Sequence, residues 1–317
     1  MPGFSSRPFA GQSDLELLID FARSANTARL PGVSYWHPGD IVWQVFPFSH
    51  LPLVEDIRLW FDADGLAGFV LFEPPLNCTF DLRPLIPLDG PLLDDMLGWA
   101  EARRRSIAHP GEDVPIAYAM LGSETLATIA LGSDVERRRA LEQRGYVLTD
   151  ARHNVRYSQP LDHDIPAAPL PPGYRLRHAT DADIEGRAEA HRDAWSVWGN
   201  STFSAKRYAR LRAAPVYDQE LDVVLEAPGG QLVSFCIAWA DPVSGIGIFE
   251  PVGTRPAFAR QGMGRAVVTE GLRRLRECGM HTARIGTASV NTGALALYPS
   301  CGFALVDKEL YYAKAVV

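Results

Sequence analysis

The stretch FARQGMGRA, residues 258–266, has the composition of a loop that could bind a phosphate group. Gly262 and Gly264 lack side chains that would obstruct a phosphate, and Arg260 and Arg265 place cations beside them. An amphipathic segment follows, so the loop would lie at a helix N-terminus, where unpaired N–H groups and the helix dipole favour an anion. Alone, this pattern fits either a pyrophosphate site or a tight turn before a helix.

The elements around this loop follow an order of strands and helices typical of an α+β domain. The apolar pattern of residues 221–254 predicts three strands joined by two Gly/Pro turns, an antiparallel meander. Residues 264–278 are predicted to form a helix, with Gly279 at its C-cap. A further strand is predicted at 282–289, and a short helix within 292–303.

This order, together with two motifs, resembles the GCN5-related N-acetyltransferase (GNAT) superfamily over about residues 173 to 312. That family's acyl-CoA loop reads Q/R-x-x-G-x-G/A, and here Ala259 replaces Gln or Arg, with Arg260 as the candidate replacement cation. A later motif of the family reads approximately N-x-x-A-x-x-L-Y-x-x-x-G-F. It is complete here as Asn291, Ala294, Leu297, Tyr298, Gly302 and Phe303.

The resemblance implies acetyl-CoA as the co-substrate, with no metal. A strand segment would orient the thioester carbonyl and the pantetheine arm, and it consists of Val252, Gly253 and Thr254. The glycine loop would bind the pyrophosphate through Arg260, Gln261, Gly262, Met263, Gly264 and Arg265. Asn291 would form a hydrogen bond with the pantetheine arm.

The resemblance also implies direct attack of an amine on the thioester, which needs a general acid and a general base. Tyr298 matches the residue that protonates the leaving thiolate, and the alternative is a packed helix tyrosine. Glu250, before Pro251 on the central strand, is the leading base, because partial burial would raise the pKa of its carboxyl. It could instead face solvent or cap the strand, and His191 and Asp193 remain other candidates.

Trp195 and Trp198, which follow the first helix of this half, could form an aromatic wall for an amine acceptor or belong to the core. We expect a small-molecule amine, because the charge distribution indicates neither a peptide tail nor a nucleic acid. Two other functions remain open. The replacement at Ala259 suggests a non-catalytic acyl-CoA-binding or sensing protein. A dinucleotide-binding protein is disfavoured, because the sequence has no G-x-G-x-x-G pattern and no parallel β-α-β order.

The N-terminal half repeats the same order less sharply, and residues 114–121 are predicted as one of its strands. When Gly145-Tyr146 is placed on Gly302-Phe303, Asp134 falls on Asn291 and Leu141 on Tyr298. This match indicates an internal duplication. The first copy has no glycine loop, and a leucine occupies the position of the predicted general acid.

We therefore predict an α+β fold, built as three layers, with two GNAT-like domains that each have a mixed, mostly antiparallel sheet flanked by helices. A degenerate domain without an acyl-CoA motif would span residues 1–158, a proline-rich linker 159–172, and the catalytic domain 173–317. The length of 317 residues agrees with two domains. This layout resembles that of tandem-GNAT proteins.

Composition narrows the remaining possibilities. The net charge of −7 disfavours broad binding to nucleic acid or to an anionic membrane. The four cysteines are widely spaced and do not form a zinc-binding pattern, and no apolar stretch approaches the ~20 residues of a membrane span. We expect a cytoplasmic protein, either a monomer or a homodimer.

Overall fold

The computed structural model describes residues 3–29, 34–45, 53–107, 124–149, 153–199 and 201–316. The strand predicted at 114–121 lies outside these residues. Within them, every helix is too short or too polar to span a lipid bilayer.

The N-terminal half, up to Pro160, contains these strands and helices. Its strands are β1 (Ser5–Pro8), β2 (Ile57–Asp62), β3 (Gly65–Glu73), β4 (Asn77–Leu82), β5 (Thr125–Leu131), β6 (Val147–Leu148) and β7 (Asn154–Pro160). Its helices are α1 (Gln12–Ala28), α2 (Pro38–Val45), α3 (Leu53–Asp56), α4 (Pro91–Ser106) and α5 (Val135–Gln143).

The C-terminal half has the predicted order of elements. Its strands are β8 (Arg175–His178), β9 (Asp222–Glu226), β10 (Leu232–Asp241), β11 (Ile246–Thr254), β12 (Thr282–Ala288) and β13 (Ala304–Ala315). Its helices are α6 (Ile184–Trp195), α7 (Ala205–Arg212), α8 (Met263–Glu277) and α9 (Thr292–Ser300). The antiparallel meander of β9, β10 and β11 is confirmed, and Gly279 follows α8 with a φ of 80°.

All of these strands belong to one mixed sheet with helices packed against it, which confirms the predicted fold class. The order along its main path is β1-β2-β3-β4-β5-β13-β7-β12-β11-β10-β9-β8, and β6 pairs with β13. The two halves therefore exchange strands. β7 pairs with β12 from Ala288↔Asn154 to Thr282↔Pro160, and β13 reaches back to pair with β5. Instead of one sheet per domain, the halves share a continuous sheet.

Strand β7 also extends two residues into the segment predicted as a linker. Its side chains alternate between partly exposed and buried positions, and Val155, Tyr157 and Gln159 are the buried ones. This alternation is typical of a strand with one face against a core. Because Pro160 closes the strand, its lack of an N–H group does not interrupt the ladder. The high proline content of the following residues concealed this strand end in the sequence.

An apolar core joins the two halves. One cluster of buried side chains includes Trp36 and Phe69 from the first half together with Phe235 and Trp239 from the second. Helix α2 approaches β10 so closely that a Cβ atom at Gly39 would overlap the Trp239 ring. The contact buries large aromatic side chains from both halves, so the hydrophobic effect holds them together as one core.

Candidate active site

The central strands β11 and β12 separate partway along their length. They pair in parallel at Ile246↔Thr282, Gly247↔Ala283 and Ile248↔Arg284, and the recorded pairing then ends. Strand β11 remains paired with β10 on its other side as far as Thr254. Among the described residues, the backbone of residues 250–254 therefore has an edge without a neighbouring strand, and those of its polar groups that have no protein partner are available to a bound molecule.

A cleft of about 910 Å³ opens at this separation, between β11, the N-terminus of α8 and helix α9. It collects the predicted site residues from segments far apart in the sequence. The predicted residues that line it are Trp195, Trp198, Glu250, Val252, Gly253, Thr254, Arg260, Gly262, Met263, Gly264, Arg265, Asn291 and Tyr298. Gln261 does not line the cleft: it is exposed, and its amide donates to the carbonyl of Ala257 at 3.1 Å.

The glycine loop has the geometry of an anion site. Gly262 has a φ of 84° and is the N-cap of α8, whose first intrahelical bond runs from the N–H of Ala266 to the Gly262 carbonyl. The N–H groups of residues 263–265, in the first turn of α8, have no acceptor within the helix. A Cβ at Gly264 would lie 3.2 Å from Thr254 Oγ1 and equally close to α9, so close packing also favours glycine there.

Two cations flank this helix end. Arg260 and Arg265 are exposed at the cleft, and neither forms an ion pair with another described residue. Their guanidinium groups therefore remain available to a charged ligand. Together with the N–H groups and the dipole of α8, they form a surface suited to a pyrophosphate.

Asn291 has a structural task as well as a place in the cleft. Its Oδ1 accepts a hydrogen bond from the N–H of Ala294 at 3.2 Å and caps α9. Its side-chain nitrogen has no hydrogen bond with another described residue. The cap fixes the side chain at the cleft wall, where that nitrogen can still donate to a ligand.

Tyr298 is buried on α9 and packs edge-on against Tyr157 of β7, with ring centroids 5.9 Å apart. Burial raises the pKa of its hydroxyl, and the negative charge of Glu250 adds to the rise. The hydroxyl therefore stays protonated at neutral pH, which is the form a proton donor requires. Tyr298 is thus a packed helix tyrosine that also lines the cleft, and its role as a general acid stays a prediction.

Glu250 lies just beyond the last paired residues of β11 and β12. Burial raises the pKa of its carboxyl to about 8, and the negative charge of Asp40 contributes to the rise. A carboxylate with this pKa can accept a proton near neutral pH. Its backbone is held in place by Trp239, whose indole N–H donates to the Glu250 carbonyl at 2.6 Å.

The two other candidate bases are not part of the cleft lining. His191 is buried and stacks on Trp195 with centroids 4.0 Å apart, and burial lowers the pKa of its imidazole to about 2, assisted by nearby arginines. Asp193 forms an ion pair with Arg255. Both residues have structural contacts, and Trp195 combines this aromatic packing with a surface in the cleft.

A second cavity, of about 330 Å³, lies between the two halves and meets the cleft at Glu250. Both openings are lined by Phe249, Glu250, Gly286, Thr287 and Ala288. Helix α2 and strands β7, β12 and β13 supply much of its wall, including Asp40, Arg156, Arg284 and Glu309. Tyr35, Trp36 and His37, which precede α2, also line it, whereas Trp43 of α2 packs against Phe203 in the core.

Sequence reasoning missed Asp40, Arg156 and Arg284 as site residues. Each belongs to a different segment, and only the contact between the halves brings them to one cavity. No local spacing could identify them. The single signal in the chain was the predicted duplication, which placed a second folded unit beside the catalytic one.

Comparison with known proteins agrees with this geometry. The model of the acetyltransferase (GNAT) family matches residues 188–303. A protein named mycothiol acetyltransferase from Thermobispora bispora is 29% identical over 275 residues, which covers 81% of this chain and 82% of that protein. Another of that name, from Renibacterium salmoninarum, is 26% identical over 212 residues and is covered to 59% of its length.

Solved structures extend the likeness over the whole chain. A GCN5-related N-acetyltransferase from Sphaerobacter thermophilus has a TM-score of 0.64 at 19% identity, with 100% of this chain and 96% of that chain covered. A tandem GNAT protein from the clavulanic acid biosynthesis pathway has a TM-score of 0.66 at 14% identity, with 99% of each chain covered. These likenesses establish the fold. Residues 188–303 therefore match the GNAT acetyltransferase family, and the chain as a whole is similar to acetyltransferases with two GNAT units in tandem.

Proposed function

We propose that the protein transfers the acetyl group of acetyl-CoA to the amine of a small molecule. The observation that carries this proposal is the position of Glu250, which lines both the cleft and the second cavity. A base at that junction can meet an amine entering from one side and a thioester held on the other. The acyl donor would thus bind in the cleft and the acceptor in the second cavity, with Glu250 between them.

The cleft fits acetyl-CoA in its shape and in its polar groups. The N-terminus of α8 with Arg260 and Arg265 would hold the pyrophosphate, and the free edge of β11 from Val252 to Thr254 would hold the pantetheine arm with Asn291. Acetyl-CoA bound in this way would supply an activated acyl group. Close packing requires glycine at position 253 of this edge, since a Cβ there would collide with the buried ring of Phe235.

Two side chains would move the protons of the transfer. Glu250 would take a proton from the acceptor's ammonium group, which leaves a neutral amine able to form the new C–N bond. Tyr298 would give its proton to the sulfur as the C–S bond breaks. The raised pKa values of both groups suit these roles, because Glu250 can hold a proton near neutral pH and Tyr298 keeps its own.

The second cavity is the proposed acceptor site. Its volume lies at the lower end of the ~300–1,000 Å³ range of small-molecule pockets, so it favours a compact acceptor. The name mycothiol acetyltransferase indicates that these relatives act on a small molecule. The present chain resembles the relative from Thermobispora bispora over 81% of its own length. At 29% identity the acceptor itself is a separate question.

A calorimetric titration of the full chain with acetyl-CoA is the first test. We expect one site per chain, in the C-terminal half, and release of CoA when an amine panel is added. Binding without CoA release from any amine would instead favour the non-catalytic acyl-CoA-binding function that Ala259 suggested. Absence of binding would overturn the proposal.

A further inference from the structure

The charged groups of the second cavity are unequally partnered. Arg156 and Glu309 form an ion pair at 2.6 Å, and Arg156 also donates to backbone carbonyls of residues 34 and 35. These two side chains largely satisfy each other. The remaining charges of the cavity are Asp40, Glu250 and Arg284, and none of these three forms an ion pair with a described residue.

Arg284 is the least satisfied of the three. Its guanidinium makes one long hydrogen bond, 3.4 Å from Nη1 to Asn26 Oδ1, and no other to a described residue. Burial lowers the pKa of Arg284 to about 10, and the nearby positive charge of Arg156 adds to the effect. A guanidinium has five N–H donors, and a partly desolvated one gains most from an anionic acceptor.

The three groups line one cavity and act on one another electrostatically. The negative charge of Asp40 acts on Glu250, and the charges of Arg156 and Arg284 act in turn on Asp40, whose own pKa burial raises to about 6. Glu250 also lines the cleft, whereas Asp40 and Arg284 line the second cavity alone. The cavity therefore offers two carboxyl groups and one guanidinium to the same ligand.

We propose that the acceptor is an amine that also carries an anionic group, a carboxylate or a phosphate, with its ammonium between Glu250 and Asp40 and its anion against Arg284. This inference rests on the proposed function and adds the class of acceptor to it. Such a molecule satisfies both unpaired carboxyl groups and the unpaired guanidinium at once. A neutral or purely cationic amine would leave the half-buried guanidinium of Arg284 with only its long hydrogen bond to Asn26.

The test is calorimetric binding to the CoA-loaded full chain with matched pairs of amines. Each L-amino acid is compared with its C-terminal amide, and glucosamine 6-phosphate is compared with glucosamine. We expect at least one anionic member to bind at least about tenfold more tightly than its neutral partner. The two kinds of pair distinguish a carboxylate from a phosphate. If no anionic amine binds more tightly than its neutral partner, the inference is overturned.

Substitution of Arg284 then assigns the preference to this residue. Arg284→Gln should weaken the preferred anionic amine by about tenfold and its neutral partner by less than about twofold, and Arg284→Lys should retain part of the preference. Arg273→Gln is the matched control, because Arg273 lies on α8 and pairs with Glu270. Equal losses for both members of a pair would mean a structural arginine and would contradict the inference. If Arg284→Gln does not fold, the wild-type pairs and Arg284→Lys still decide.

Release of CoA is measured separately on the same panel, so that the two proposals fail in different ways. Turnover of neutral amines alone would leave the proposed function standing and overturn the anionic acceptor. Selective binding of anionic amines without turnover would support the cavity's specificity and contradict the proposed acetyl transfer.

Discussion

In each half of the molecule, two neighbouring parallel strands separate partway along their length. Among the described residues, only the separation in the C-terminal half leaves a cleft. In the C-terminal half, β11 and β12 separate after Ile248↔Arg284 and enclose about 910 Å³. In the N-terminal half, β4 and β5 pair only at Asn77↔Ala127. There the carbonyl of Phe80 accepts from Arg137 at 3.2 Å, so an arginine side chain occupies the edge of β4.

A second arginine also donates a hydrogen bond to the backbone of β4. Arg29 donates to the carbonyl of Leu82 at 2.6 Å, and both arginines bind the buried carboxylate of Asp81. Tyr35 covers Arg137, with the guanidinium carbon 3.4 Å from the ring centroid, and its hydroxyl bonds to Asp134 at 2.8 Å. The network therefore closes the first opening and fixes the segment that carries Asp40.

The short helices beside the two openings show which features the halves share. Asp134 caps α5 as Asn291 caps α9, each with a side-chain oxygen that accepts the N–H three residues later. At the position of Tyr298, however, α5 has Leu141, which is fully buried. Glu250 lies two residues beyond the last parallel pair of its half, and Thr79 occupies that place in the other. The backbone plan is common to both halves, and only the second has ionisable groups at these two positions.

The largest expected effect tests whether the first opening is structural. Asp81→Ala should lower the free energy of unfolding by about 3–5 kcal/mol, because it leaves Arg137 buried without its carboxylate. Denaturant unfolding would measure the change. The control is Asp94→Ala, an exposed partner of Arg144, for which the loss should stay below about 1 kcal/mol. Equal stability of the two variants would contradict a structural network.

The next effect concerns the tyrosine that only the C-terminal opening has. Tyr298→Phe should lower kcat by about 10²-fold or more, because the leaving sulfur loses its proton donor, while affinity for acetyl-CoA changes little. Steady-state kinetics and calorimetry measure the two quantities. Tyr146→Phe, a buried tyrosine of the N-terminal half, is the control and should keep kcat. An unchanged kcat in Tyr298→Phe would remove the hydroxyl from the chemistry.

A smaller effect concerns the loop that the first half lacks. Gly264→Trp should weaken acetyl-CoA binding by about tenfold, because the new side chain would fill the approach to the helix N-terminus between Thr254 and Leu297. Calorimetry gives the affinity. Gly98→Trp on α4 is the matched control, since a Cβ there meets open space. Unaltered affinity in Gly264→Trp would argue against pyrophosphate binding at this loop.

The smallest effect tests the contribution of the N-terminal half to the reaction. With Glu250 as the base, kcat/KM should rise with pH through an apparent pKa near 8, because the carboxyl must be deprotonated to accept a proton. Asp40→Asn removes a negative charge that favours the protonated form, so the rise should move to lower pH. Asp20→Asn, on the exposed side of α1, is the control. An unchanged apparent pKa of kcat/KM in Asp40→Asn would show that Asp40 does not act on Glu250.

The sequence by itself determined the elements whose signals are local. The capping and apolar spacing of α8, the meander from β9 to β11 and the motif from Asn291 to Phe303 depend on neighbours within one turn or one hairpin. Such short-range interactions are encoded in adjacent residues, so the predicted cleft residues were identifiable as a group. Gln261 was the exception, because its position in the loop does not state which way its side chain points.

Only the tertiary structure decided how the halves combine. The exchange of β7 and β13 depends on pairings between residues about 120 to 190 positions apart in the sequence. The same packing brings α2 against β10 and β11 and places Asp40 and Arg284 in one cavity with Glu250. Long-range pairing is selected by the burial of whole faces and not by any single residue. For that reason the residues of the cleft could be predicted from the motifs, whereas the second cavity could be identified only from the folded molecule.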